Sequence, residues 1–237
     1  MKSLTHFHNK KVLITGGTAG LGLALTRNLL QAGAQLAVVA RDPEKIGSLR
    51  QEFGGSTNLL VIQGDISQKE QIHRIYAEAV TFLTDIDILI NNASSIGAAP
   101  LRPLLDSTCE DFAEVLETNL LGPYRLTKLV LPSMLLRNSG EVINISSDAA
   151  VSPYADWGFY GASKAALDHL SRIWQVELQT TQVRFHAVDP GDMDTALHSA
   201  AVPDADRSQL HRPSDSSLLL LNQLITQNSQ QVRRSLR

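Results

Sequence analysis

The sequence predicts an α/β fold: one domain of 237 residues, with a doubly wound parallel sheet between two layers of helices. Three observations predict it. Short apolar runs alternate with helical patterns six times along the chain. The first run enters a glycine-rich turn that opens a helix. The polar residues that stand out fall at the carboxyl ends of the runs, where such sheets bind ligands.

Residues 11–15 are the first strand. They run into Gly16-Gly17-Thr18-Ala19-Gly20-Leu21-Gly22, and a helix follows through Leu25, Leu29 and Leu30 to a stop at Gly33. Glycines let a backbone approach a pyrophosphate, and a helix N-terminus offers unpaired N–H groups and a favourable dipole. Gly16, Thr18, Ala19, Gly20, Leu21 and Gly22 are therefore candidate cofactor contacts. The spacing is T-G-x-x-x-G-x-G, not the common G-x-G-x-x-G. A glycine cluster alone also suits a plain tight turn.

Residues 35–40 are the second strand, followed by Arg41-Asp42-Pro43. An acidic residue here would hold ribose hydroxyls, whereas an Arg accommodates a 2′-phosphate. Asp42 before Pro43 is a good N-cap and N1 pair. Asp42 is therefore assigned to capping and Arg41 to phosphate, which favours NADP(H) over NAD(H). The third strand, residues 59–62, ends at Gly64-Asp65-Ile66. Asp65 either accepts from an adenine amino group or caps the helix over 68–82; Ile66 is counted with the cofactor site. The fourth strand, 86–90, ends in Asn91-Asn92-Ala93-Ser94, which suits a turn beside a ligand or an ordinary loop. A helix over 111–121 holds Asn119 among apolar residues. Asn is a mediocre helix former, so either a placed role or a local side-chain-to-backbone bond accounts for it.

The fifth strand, from Val142 to Ile145, ends in Ser146 and Ser147, and Ser152-Pro153 then breaks the regularity. Tyr160-Gly161-Ala162-Ser163-Lys164 opens a long helix through Leu167, Leu170, Trp174 and Leu178. Tyr160 and Lys164 lie one turn apart on one face. A free Tyr titrates near ~10. A cation at about 4 Å, in an effective dielectric of about 20, favours the phenolate by roughly 4 kcal/mol, or about 3 pKa units. A phenol tuned in this way exchanges protons with a substrate oxygen, which Ser147 could hold. Tyr154 has only Gly158 four residues on, so no such partner.

The sixth strand, 183–188, closes with Asp189-Pro190-Gly191. Residues 192–213 read as a lid over substrate and cofactor, with 195–213 covering the substrate. Ser214-Asp215 caps a last apolar helix over 218–225. Residues 227–237 read as a frayed polar tail, with Arg233, Arg234 and Arg237 solvated.

A net charge of −3 gives no reason to propose nucleic acid or an anionic membrane as partner. A single cysteine, Cys109, excludes an internal disulfide and has no ligand-like neighbours, so no metal is expected. His6 and His8 read as solvated. No apolar run approaches ~18 residues, which points to a soluble cytoplasmic protein.

Between Lys10 and Thr195 the chain resembles the short-chain dehydrogenase/reductase family, in its single-domain Rossmann branch. The resemblance rests on Thr15–Gly22, Asp65, Asn91-Asn92-Ala93, Asn119, Ser147, Tyr160 with Lys164, and Pro190-Gly191 with Thr195. It implies that Tyr160 is the general acid in reduction and base in oxidation. Lys164 would lower its pKa and bond the nicotinamide ribose, Ser147 would orient the carbonyl, and Asn119 would hold a water in a relay with Lys164. Asn91 or Asn92 would line the cofactor channel, and Thr195 would contact the carboxamide. A homodimer or homotetramer is implied too. Ala19 departs from the basic residue that many NADP-preferring members carry. The family's further strand is poorly supported, since residues 230–237 have little β character; the last strand is expected to be absent or poorly formed. Ile96, Ala98, Trp157, Phe159 and Leu197 point to a small uncharged carbonyl or alcohol substrate. The rival reading is a nucleotide-sensing regulator without turnover; such relatives typically lose the Tyr or the Lys, and this chain keeps both.

Overall fold

A strand buried on both faces favours a largely apolar run. In the computed structural model, which describes residues 4–226 and 232–236, Asn144 interrupts the apolar run of the fifth expected segment and Arg184 and His186 that of the sixth, but all six segments are strands. They are β1 (Lys11–Thr15), β2 (Gln35–Ala40), β3 (Leu59–Gln63), β4 (Ile88–Asn91), β5 (Gly140–Ile145) and β6 (Val183–Asp189). A seventh, β7 (Arg233–Ser235), joins them in one parallel sheet of order β3-β2-β1-β4-β5-β6-β7. The helices are α1 (Gly20–Gln31), α2 (Pro43–Glu52), α3 (Lys69–Leu83), α4 (Cys109–Leu116), α5 (Gly122–Leu136), α6 (Gly158–Glu177), α7 (Ala196–Ala201) and α8 (Pro213–Thr226).

Successive strand residues point to opposite faces, and the core divides accordingly. Val12, Ile14, Leu36 and Val38 pack under Leu25 and Leu29 of α1 and Leu220 and Leu221 of α8. Leu13, Ala37 and Val39 pack under Ile72 and Ile75 of α3 and Leu126 and Val130 of α5. Strand order reverses between β1 and β4, and the crevice above their carboxyl ends is where such a sheet takes its ligand.

Local chemistry sets the helix starts. Asp42 accepts from the backbone N–H of Glu44 (3.0 Å) and Lys45 (3.3 Å), with Pro43 at N1. Its assignment to capping agrees with this. The helix expected from Asp111 begins earlier, at Cys109. Thr108 and Asp111 form a reciprocal capping box there. It does not run unbroken to Leu121 either: residues Glu117–Leu121 are a π turn. The last helix also starts early, at Pro213.

The prediction for the tail is corrected. Residues 227–231 and 237 lie outside the described residues, but 233–235 are not frayed, and of the arginines expected to be solvated Arg233 is half-buried and Arg234 buried. Arg233, Arg234 and Ser235 pair with Ala187, Val188 and Asp189 of β6. Val232, Arg234 and Leu236 are buried. The exposed backbone edge of β6 accepts a strand whatever its side-chain propensity, and Arg233 finds an ion-pair partner in Asp168. Among the described residues no helix is long and apolar enough to cross a membrane.

Candidate active site

A cleft of about 840 Å³ runs along the carboxyl ends of the strands, from Arg41 beyond β2 to Ser147 and Tyr160 beyond β5. The glycine turn forms its floor. Gly16 and Gly20 take φ of +66° and +50°, which side chains rarely adopt. Gly22 has a different use. A Cβ there would lie 2.2 Å from the Gly16 carbonyl oxygen and 2.4 Å from Asn92 Nδ2. Gly22 lets the start of α1 pack against the turn; unlike Gly16, Thr18, Ala19, Gly20 and Leu21, it does not line the cleft.

Of the two asparagines, Asn92 belongs to the site. Its Nδ2 donates to the carbonyls of Thr15 (3.0 Å) and Gly16 (3.2 Å), bracing the turn, and it lines the cleft. Asn91 instead turns into the sheet, with Nδ2 donating to Asn144 Oδ1 at 2.7 Å. Asp65 caps no helix: α3 starts at Lys69, and Asp65 Oδ1 accepts from Ser67 N–H (2.9 Å) and Oγ (2.8 Å) in a local turn. Asp65 and Ile66 both line the cleft.

At the β2 end two cations face the cleft. Arg41 is 3.6 Å from Asp65 and largely exposed. Lys45, which the sequence reading missed, lies 3.4 Å from the capping Asp42 and lines the same wall. Its place four residues after Arg41, in the first turn of α2, was the available signal. A glycine cradle leading to two cations can take an anionic ligand along its length.

At the β5 end, Ser147, Tyr160 and Lys164 meet. The start of α6 at Gly158 puts Tyr160 and Lys164 on its inner face, both buried. Lys164 Nζ donates to the Ile145 carbonyl at 2.7 Å and lies 5.5 Å from the Tyr160 ring centroid. Ser147 and Ser94 stand beside the Tyr160 hydroxyl. The expected acidic phenol is overturned. Burial pushes Tyr160 up to about 12, against the opposing pull of Ser147 and Ser94; Asp148 and Asp189 push it further the same way. The same burial brings Lys164 down to about 8, with Asp168 opposing. Helical spacing supplies proximity, but loss of water disfavours the charged form of each partner.

Tyr154 is not without a partner. Its hydroxyl donates to Asp148 Oδ2 at 2.6 Å, and Asp148 Oδ1 accepts from Ser147 Oγ at 3.0 Å. The partner lies six residues back, across the turn after β5, where no helical spacing would reveal it. Asn119 sits in the π turn and does not line the cleft. Its Oδ1 accepts from Ser95 N–H (2.8 Å) and Ser94 Oγ (3.2 Å), and its Nδ2 donates to Ser95 O (2.8 Å) and Ser163 Oγ (2.9 Å). Those four bonds exhaust the amide, so its side chain clamps the β4 loop to α6 and has no capacity left for a water.

Thr195 lines the cleft opposite Gly20 and caps α7 by accepting from His198 N–H at 3.2 Å. The neck of the segment that follows is stapled. Asp194 N–H donates to the His211 carbonyl, and His211 N–H donates to the Asp192 carbonyl, each at 2.9 Å. Among the described residues no three His, Cys, Asp or Glu side chains gather as a metal site would need.

Residues 10–206 match the short chain dehydrogenase family. The NADP-dependent 3-hydroxy acid dehydrogenase YdfG of Escherichia coli (strain K12) is 36% identical over 180 residues, 76% of this chain and 71% of that protein. L-fucose dehydrogenase of Oryctolagus cuniculus is 31% identical over 207 residues, 86% of this chain and 71% of that one. Among solved structures, a short-chain dehydrogenase from Streptomyces avermitilis superposes with a TM-score of 0.83 at 25% identity, covering 96% of this chain and 88% of that one. A closed form of serine dehydrogenase complexed with NADP+ gives 0.80 at 31% identity, covering 94% and 92%.

Proposed function

The chain belongs to the short-chain dehydrogenase/reductase family of oxidoreductases, and from that premise we propose that it interconverts a small uncharged carbonyl compound and its alcohol with NADP(H), Tyr160 acting as general acid and base. The observation that carries this reading is the meeting of Tyr160 with Ser147 and Lys164 at one end of a cleft whose other end is the glycine turn. When bound, the nicotinamide supplies the hydride. Ser147 holds the carbonyl oxygen, and Tyr160 gives that oxygen its proton as negative charge develops on it. Lys164 holds the ribose, and its ammonium stabilises the phenolate left behind. With its amide saturated, Asn119 can serve a proton relay only through its backbone carbonyl. A phenol at about 12 is protonated at neutral pH, so reduction is the direction its resting state serves.

Arg41 and Lys45 support the choice of NADP(H). Charge-assisted bonds to a 2′-phosphate are worth about 1.5–3 kcal/mol each. Arg41→Ala is expected to weaken NADPH binding by about tenfold to a hundredfold and to leave NADH binding within twofold, read by nicotinamide fluorescence titration. Equal weakening of both would remove Arg41 from the phosphate site.

For the substrate, Lys164 is the one lysine or arginine lining the described cleft away from Arg41 and Lys45, and Asp148 lies beside Ser147. A substrate carboxylate about 6 Å from Asp148, at an effective dielectric of about 20, would cost about 2–3 kcal/mol. Following nicotinamide absorbance across aldehydes and ketones, kcat/KM for a neutral ketone should exceed that of the matching 3-oxo acid by at least about tenfold. The reverse order would favour a second reading, suggested by the relative named a 3-hydroxy acid dehydrogenase: an acid substrate. A homodimer or homotetramer fits exposed Ile173 and Val176 on α6.

A further inference from the structure

Arg233 lies on the edge strand β7 and does not line the cleft, yet its guanidinium reaches the segment that carries Ser147. Its Nη2 donates to the Ser147 carbonyl at 3.0 Å, and its Nη1 donates to Ser146 Oγ at 3.2 Å. Nη1 also pairs with Asp168 Oδ2. Asp168 is buried on α6, four residues past Lys164, and its Oδ1 has no hydrogen-bond partner among the described residues. Two cations therefore hold the end of β5 from behind. Lys164 takes the Ile145 carbonyl, and Arg233 takes the next two residues. One buried carboxylate faces both.

We propose that Arg233 is a positioning residue for this active site: it fixes the backbone of Ser147 and occupies Asp168, which leaves the Lys164 ammonium at the end of β5. The proposal rests on the roles given above to Ser147 and Lys164. A buried carboxylate without a partner is strongly unfavourable and captures the nearest cation. One turn away, that cation is Lys164, and an ion pair with Asp168 would draw its amine from Ile145. The guanidinium prevents this because its planar fork serves a carboxylate and still has N–H groups for Ser146 and Ser147; a lysine ammonium is a point charge and cannot span all three. The groups bearing on the titration of Lys164 are Asp168 on its own helix, Arg233 from β7 through Asp168, and Tyr160 one turn earlier. Asp148 after β5 and Asp189 at the end of β6 act on Tyr160.

The test uses Arg233→Met, Arg233→Lys and the double variant Arg233→Met with Asp168→Asn. Arg233→Met should lower kcat at least about tenfold with little change in the carbonyl KM, and move the basic limb of the pH profile upward by about one unit, tenfold in proton concentration. Adding Asp168→Asn should return the limb to its wild-type position while kcat stays low, because Ser147 is still unanchored. Arg233→Lys should keep the limb and lose kcat, so the proposal stays testable if the methionine variant does not fold. Carbon NMR titration of the Lys164 side chain reads the same shift without turnover. Tyr160→Phe retaining turnover would therefore sink the Tyr160 reading and leave this one standing. Wild-type kcat and wild-type Lys164 titration in the Arg233 variants would overturn the proposal, as would a shifted limb that Asp168→Asn does not restore.

Discussion

Tyr160→Phe is expected to bind NADP(H) within about twofold of wild type and to lose turnover by about a thousandfold or more. General acid catalysis typically contributes about a hundredfold to ten-thousandfold, and this substitution deletes only the acid. The ring keeps its edge contact with Trp157, centroids 5.5 Å apart, and its place on α6. The hydroxyl beside Ser147 and Ser94 is lost, which should cost about 1 kcal/mol of stability or less, since both serines stand at the cleft where water can replace the phenol. Single-turnover rates beside cofactor titrations separate the outcomes. Turnover within tenfold of wild type would remove Tyr160 from the mechanism. Turnover and cofactor binding falling together would mean that the phenol holds the dinucleotide.

Lys164→Met should abolish turnover and, at the same time, stabilise the fold. Burial brings the amine from 10.5 down to about 8. At pH 7 the charged form thus costs about 3 kcal/mol relative to a neutral side chain of the same shape. About 1 kcal/mol is returned by the hydrogen bond to Ile145, so the methionine should gain about 2 kcal/mol in denaturant unfolding. The pH dependence gives a second check. Because the folded pKa lies below the unfolded one, the unfolded wild-type chain binds more protons between about pH 8 and 10.5, and wild-type stability rises with pH across that window. Tyr160 acts in the opposite sense from about pH 10 to 12, where the folded state keeps a proton that the unfolded state has lost. Between pH 8 and 10 the wild type should therefore gain stability that the methionine variant does not. A methionine variant that is less stable at pH 7 would mean that the buried ammonium holds the end of β5 more strongly than its desolvation opposes it.

Six strands could be read from the chain itself, because a parallel sheet covered on both faces leaves largely apolar runs, even where Asn144, Arg184 or His186 interrupts one. β7 could not. Its pairing comes from the open edge of β6, and the partner of Arg233 is Asp168, 65 residues earlier. The π turn at Asn119 was equally hidden, since its four hydrogen bonds go to three residues on two other segments. Gly22 carries the motif's spacing, yet its use is to let helix and turn touch. Lys45 was open to view one helical turn past Arg41. Asp148 and Tyr154 meet only because the chain folds back after β5.

The order of residues along the chain by itself determined the layered α/β architecture, the glycine turn, the capping role of Asp42 and the spacing that brings Tyr160 beside Lys164. These depend on neighbours within a few positions, and local periodicity and turn chemistry act at that range. Only the tertiary structure decided the ionisation of the pair, the clamp at Asn119 and the anchoring of Ser147 by Arg233. Each of these depends on which distant groups exclude water from a site and which supply its charges, and that is fixed when the layers close.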